Sequence, residues 1–158
     1  IGNRMINARA ESVAEKPAFR QAFRRRRCLV PADGFFEWKK EEDGQGKKAN
    51  KIPHWIHRED GRPFGMAGLW ERWTPEGGEP LHTFTIITTE AVPDLRGIHH
   101  RMPVILSPEG IEPWLDPDSD PETLSSLLGP NGEGISAHSV SILVNSPRND
   151  APECILPA

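Results

Sequence analysis

With 158 residues, 36% of them hydrophobic, the chain is long enough to bury a core as one domain, and its mean hydropathy of −0.55 describes a loop-rich, water-facing protein. A net charge of −4 excludes bulk-charge coating of nucleic acid and leaves room only for a local basic patch. Cys28 and Cys154 form no CxxC, which argues against a disulfide scaffold or zinc site, and no apolar run approaches membrane-spanning length. With no visible signal peptide, the expectation is a cytoplasmic protein without metal or cofactor. Its 16 prolines and 14 glycines favour short strands and turns over a helical bundle.

In chain order, residues 5–12 open as a short extended piece. Asn7 and Arg9 are two apart and so face the same side of a strand. Asn is a forked donor and acceptor, and Arg a fixed fork of donors suited to carboxylate or phosphate. An ordinary surface strand carries such residues too. Residues 17–27 read as a helix, with Pro17 in its first turn and Phe19 and Phe23 on one face. Arg24, Arg25, Arg26 and Arg27, with Arg20 a turn earlier, either complement the helix dipole or form a phosphate-facing patch.

Residues 28–38 predict strand, turn, strand, with the turn at Asp33-Gly34. Glu37 lies between Phe36 and Trp38. A carboxylate held against aromatics loses hydration and suits acid–base work; the alternative puts it on the wet face of a hairpin. Residues 39–51 are a polar loop with no assigned chemistry. Residues 53–58 and 64–73 predict further strands, with Gly65 and Gly68 marking a bulge or a close backbone approach, and Trp55, Trp70 and Trp73 expected in the core.

Residues 81–106 organise the rest. Threonines interleaved with Phe84, Ile86 and Ile87 make a strand, Pro93, Asp94 and Gly97 break it, and residues 102–106 turn apolar again. His99, His100 and Arg101 sit at that strand end, where a positioned acid or base is often built, although a structural histidine pair fits as well. Ser107-Pro108 and Asp120-Pro121 start two helices. Residues 135–144 predict a last strand, with His138 in the core or on the surface. GxGxxG, P-loop, GxSxG and HExxH motifs are all absent from the sequence.

Five pieces together carry a family signature: Asn7-Ala8-Arg9-Ala10-Glu11, residues 31–38, residues 84–89, His100-Arg101-Met102-Pro103 and Val144-Asn145-Ser146-Pro147. In this order they resemble the SOS response-associated peptidase (SRAP) family, whose members shield abasic sites in single-stranded DNA. The resemblance implies a single α+β domain over residues 1–158, with a curved, barrel-like antiparallel sheet flanked by short helices. It implies catalytic roles for Asn7, Glu37 and His100. It places Arg9 on a flanking phosphate and Trp38 and Thr89 along a DNA channel, which Arg24, Arg25 and Arg26 would extend. The implied partner is single-stranded DNA with abasic sites, bound by a monomer that is nucleoid-associated if bacterial and has no membrane contact.

In that family the nucleophile is a cysteine made N-terminal by removal of Met. Its amine forms an imine with the ring-opened sugar aldehyde, and its thiol closes a thiazolidine. The resemblance implies thiol autopeptidase activity as well. Family members begin Met-Cys-Gly-Arg, whereas this sequence begins Ile1-Gly2-Asn3-Arg4 only six residues before Asn7. The expectation is an N-terminally truncated chain that does not crosslink as it stands. The alternative function is a non-covalent single-stranded DNA-binding module, with Glu37 and His100 structural.

Overall fold

A computed structural model describes residues 5–41 and 50–158. The polar-loop expectation for residues 39–51 falls mostly outside these. Among the described residues, nine strands form two sheets. The larger sheet contains β1 (Asn7–Arg9), β6 (Leu81–Glu90), β5 (Phe64–Trp73) and β2 (Arg27–Ala32), side by side in that order. The β5 and β6 strands splay apart beyond Gly68 and Ile86. In the fork, β7 (Arg101–Pro103) pairs with β6 and β8 (Ile105–Leu106) pairs with β5. The smaller sheet has the order β3 (Gly34–Lys40), β4 (Lys51–Arg58), β9 (Ile135–Ser139).

Among the described residues, four short helices complete the α+β fold: α1 (Arg20–Arg25), α2 (Pro93–Arg96), α3 (Pro108–Leu115) and α4 (Pro121–Ser126). The caps read from sequence are formed. The Ser107 hydroxyl accepts from the Gly110 N–H, and the Asp120 carboxylate accepts from the Glu122 and Thr123 N–H groups. The first helix starts at Arg20, three residues after Pro17, which lies in the preceding turn.

Strand alternation sorts the core into two layers. Ala8, Ala67, Leu69 and Ile87 point outward from the large sheet and pack with Phe23, Leu124 and the fully buried Trp114 beneath the helices. Met66, Phe64 and Ile86 point inward and meet Ile56 and Phe35 of the small sheet, together with Met102 and Leu95. The small sheet thus covers part of the concave face of a curled half-barrel.

Several expectations change here. The sheet is mixed, because β1 runs parallel to β6, with Asn7 beside Ile86 and Arg9 beside Thr88. Residues 28–38 are not a hairpin: β2 pairs with β5 and β3 with β4, so the bend at Asp33 carries the chain from one sheet to the other. Only glycine fits at the crossing, since a Cβ on Gly34 would lie 2.6 Å from the Ile56 carbonyl oxygen and 2.3 Å from the Trp55 ring. Gly68 makes the predicted close approach: a Cβ there would meet Val30 Cγ2 at 2.9 Å and Cys28 Sγ at 3.0 Å. Trp55 is half-buried, but Trp70 and Trp73 are 38% and 60% exposed, because β5 and β6 run on past the strands that flank them. The last strand stops at Ser139, and residues Ile142–Asn145 form a 3-10 helix.

Candidate active site

Glu37 lies on the same face of β3 as Phe35, which is packed in the inner core. The carboxyl group is therefore held at the edge of that core and is half-buried. Burial pushes its pKa up; His99, the Trp38 backbone N–H and His100 pull the other way without cancelling it. His99 Nδ1 lies 3.8 Å from Glu37 Oε1, and the ring of His100 lies against that of His99 with centroids 4.5 Å apart.

The histidines are delivered by local chain chemistry. Pro93 opens the one-turn helix α2, and its Leu95 is buried. The His99 N–H then donates to the Leu95 carbonyl, and the Ala91 N–H to that of His100 (both 3.0 Å), folding the loop back on itself. The Arg101 N–H donates to His99 Nδ1 at 3.1 Å, which holds the ring in place.

Arg101 ties these parts to β1. Its guanidinium donates to both carboxylate oxygens of Glu11, to the Thr88 carbonyl at 2.6 Å and to Thr88 Oγ1 at 3.3 Å. Glu11 lies in the 3-10 turn immediately after β1. The Arg101 hydrogen bond holds its carboxyl below the usual range. Asn7 and Arg9 flank buried Ala8 on the opposite face of β1, both exposed. Asn7 pairs beside Ile86, whose side chain joins the inner core, so Asn7, Arg9 and Glu37 belong to the same concave side. The arrangement offers a desolvated carboxyl in reach of an imidazole, next to an exposed amide and guanidinium. Among the described residues, no group of three His, Cys, Asp or Glu is placed to hold a metal.

Residues 1–147 match the sequence pattern of the family described as SOS response associated peptidase (SRAP). The chain belongs to the SRAP family. It is 46% identical over 157 residues to the abasic site processing protein YoqW of Bacillus subtilis, an alignment covering 98% of this chain and 68% of that protein. It is 40% identical to the abasic site processing protein HMCES of Gallus gallus, over 96% of this chain and 49% of that protein. A crystal structure of a protein from Bacteroides thetaiotaomicron superposes with a TM-score of 0.88 at 37% identity, covering 99% of this chain and 67% of that one.

Within this SRAP fold the sequence-derived site residues fall into three groups. Asn7, Arg9, Glu37 and His100 lie around the concave side, but His99, which the sequence placed beside His100 at the strand end without giving it a separate role, is the imidazole that faces Glu37. Arg101 and Glu11, both present in the quoted motifs, were given no role of their own from the sequence. Trp38 points to the opposite face of β3 from Glu37, where its Nε1 donates to Asn145 Oδ1 at 2.7 Å. Thr89 is only 5% exposed and pairs beside Met102. Arg24 and Arg25 are exposed, whereas Arg26 bonds Glu71 at 2.7 Å and Arg27 donates to the carbonyls of Phe23, Arg24, Trp114 and Asp116. About half of the arginine run thus serves the fold. Among the described residues, no helix is long and apolar enough to cross a membrane.

Proposed function

We propose that this SRAP chain recognises abasic sites in single-stranded DNA and provides the residues that support a covalent thiazolidine adduct with the N-terminal cysteine expected of the family. The observation that carries the reading is Glu37, desolvated and 3.8 Å from His99, on the concave side that also presents Asn7 and Arg9. A carboxyl with a raised pKa stays protonated further toward neutral pH, so it can give a proton to the hydroxyl that leaves when amine and aldehyde form an imine. His99 is placed to assist opening of the sugar ring, with His100 packed against it. Arg9 pairs with a flanking phosphate and Asn7 orients the nucleophile. The same nucleophile accounts for the thiol autopeptidase activity, and the protein works as a monomer, at the nucleoid if bacterial.

The test is adduct formation on single-stranded DNA with one abasic site, read on a denaturing gel, in a version carrying the N-terminal cysteine. Glu37→Gln and His99→Ala are each expected to slow it at least tenfold, within the range general acid–base groups contribute. Unchanged rates for both variants refute the catalytic assignment and leave a non-covalent single-stranded DNA-binding module.

A further inference from the structure

Beyond Leu69 and Ile86, β5 and β6 continue as a two-stranded ribbon whose pairs are Trp70 with Phe84 and Arg72 with His82. Directly opposed residues share a face, so these four side chains lie together. The Trp70 and His82 rings, 6.2 Å apart across the diagonal, confirm the grouping. Phe84 is 57% exposed and Trp70 38%, so both rings present a face to solvent.

This face continues the one that carries the candidate site. Alternation along β6 puts His82, Phe84, Ile86 and Thr88 on one side. Asn7 sits beside Ile86 and Arg9 beside Thr88, while Ala8 and Ile87 between them are buried on the other side. From Arg9 the surface therefore runs through Asn7 to the Trp70–Phe84 pair. At ~3.3 Å per residue, Phe84 lies about 13 Å along β6 from Thr88, beyond the reach of a single nucleotide. The track bears Arg9 at one end and Arg72 at the other. Its β6 side carries no carboxylate from His82 to Thr88, and Glu71 points to the opposite face of the ribbon, where it bonds Arg26. In a chain of net charge −4, such an acid-free, aromatic and cationic strip complements a polyanion with flat bases.

We infer that the inner face of the β5–β6 ribbon is a stacking platform for the single strand flanking the abasic site. The inference rests on the proposed function. Trp70 and Phe84 take the faces of one or two bases without reading their sequence, and Arg72 takes a phosphate between them.

The test uses fluorescence anisotropy with two labelled single-stranded probes: a long oligonucleotide with one central abasic site, and a trinucleotide with the same lesion. Trp70→Ala and Phe84→Ala are each expected to weaken binding of the long probe about tenfold and to leave the trinucleotide unchanged. Trp70→Phe, which keeps a stacking ring, restores most of the affinity. Unchanged binding of the long probe, or equal losses on both probes, overturns the platform. A lowered melting temperature with unchanged DNA binding also overturns it, and assigns the rings to the stability of the ribbon. If the unmutated protein fails to prefer abasic over intact probes, the proposed function fails instead. The platform then stands or falls on the effect of Trp70→Ala with the intact long probe.

Discussion

Replacing Arg101 by Ala tests whether one guanidinium sets the spacing between β1 and the histidine loop. Arg101 is 15% exposed and donates to a carboxylate, a backbone carbonyl and a hydroxyl. A hydrogen bond from a charged donor contributes about 1.5–3 kcal/mol, and the Thr88 carbonyl loses its charged partner. Glu11 is 52% exposed, so water takes up its carboxylate, and the ion-pair share is no more than about 1 kcal/mol. The net cost is about 3 kcal/mol, equivalent to about 6–12 °C of melting temperature for a domain of this size. Glu11 titrates below its ordinary value because of Arg101, so its share of the stability exists above the unfolded carboxyl's pKa of 4.5 and disappears as pH falls through the folded one. Thermal melts of the wild type, Arg101→Ala, Glu11→Gln and the double variant, at neutral and acid pH, measure both parts. A loss below about 1 kcal/mol, or fully additive single effects, refutes the coupling.

Glu37 gives the opposite sign. Its folded pKa is raised, so its contribution is fully present below 4.5 and is lost as pH rises through the folded value. Glu37→Gln is therefore expected to stabilise the fold at neutral pH, with the difference from wild type shrinking to nothing in acid; urea titrations across that range check it. Gly34→Ala places a Cβ against the Ile56 carbonyl oxygen and the Trp55 ring, and is expected to cost about 1–3 kcal/mol or more by overpacking, read as a lower urea midpoint with an unchanged slope.

The fold was legible wherever local chemistry decides it. The caps at Ser107 and Asp120, the alternation in residues 81–90 and the close approach at Gly68 all follow from side-chain type and short spacing. Pairing between strands was not legible in the same way. Residues 28–38 carry a strand-turn-strand pattern in which the Asp33-Gly34 turn suits a hairpin, yet the chain uses it to change sheets. Nothing in the eleven residues distinguishes the two outcomes, because the deciding contact is Gly34 against Trp55 and Ile56 on another strand. Tryptophan identity misled for a related reason. Burial depends on whether a flanking strand extends far enough, and β2 ends its pairing at Leu69.

The candidate site shows the same division and explains why the sequence favoured His100 over the adjacent His99. Residue type and resemblance nominate Glu37, Asn7, Arg9 and an imidazole near residue 100, because those require only chemistry and order. Choosing between adjacent imidazoles requires the side of the chain each one takes. That is set by the Leu95 carbonyl and the Arg101 N–H, both of which bond residue 99. Arg101 in turn faces inward because it must reach Glu11 across β6. The Arg101–Glu11 ion pair, outside the carboxyl–imidazole pair itself, thus fixes the strand end on which the candidate site lies. A guanidinium with three kinds of partner fixes its own strand, the neighbouring strand and the turn after β1 at once. Glu37 then gains a raised pKa from its position at the core edge and a nearby imidazole from the ordered loop, with no residue in the site performing both tasks.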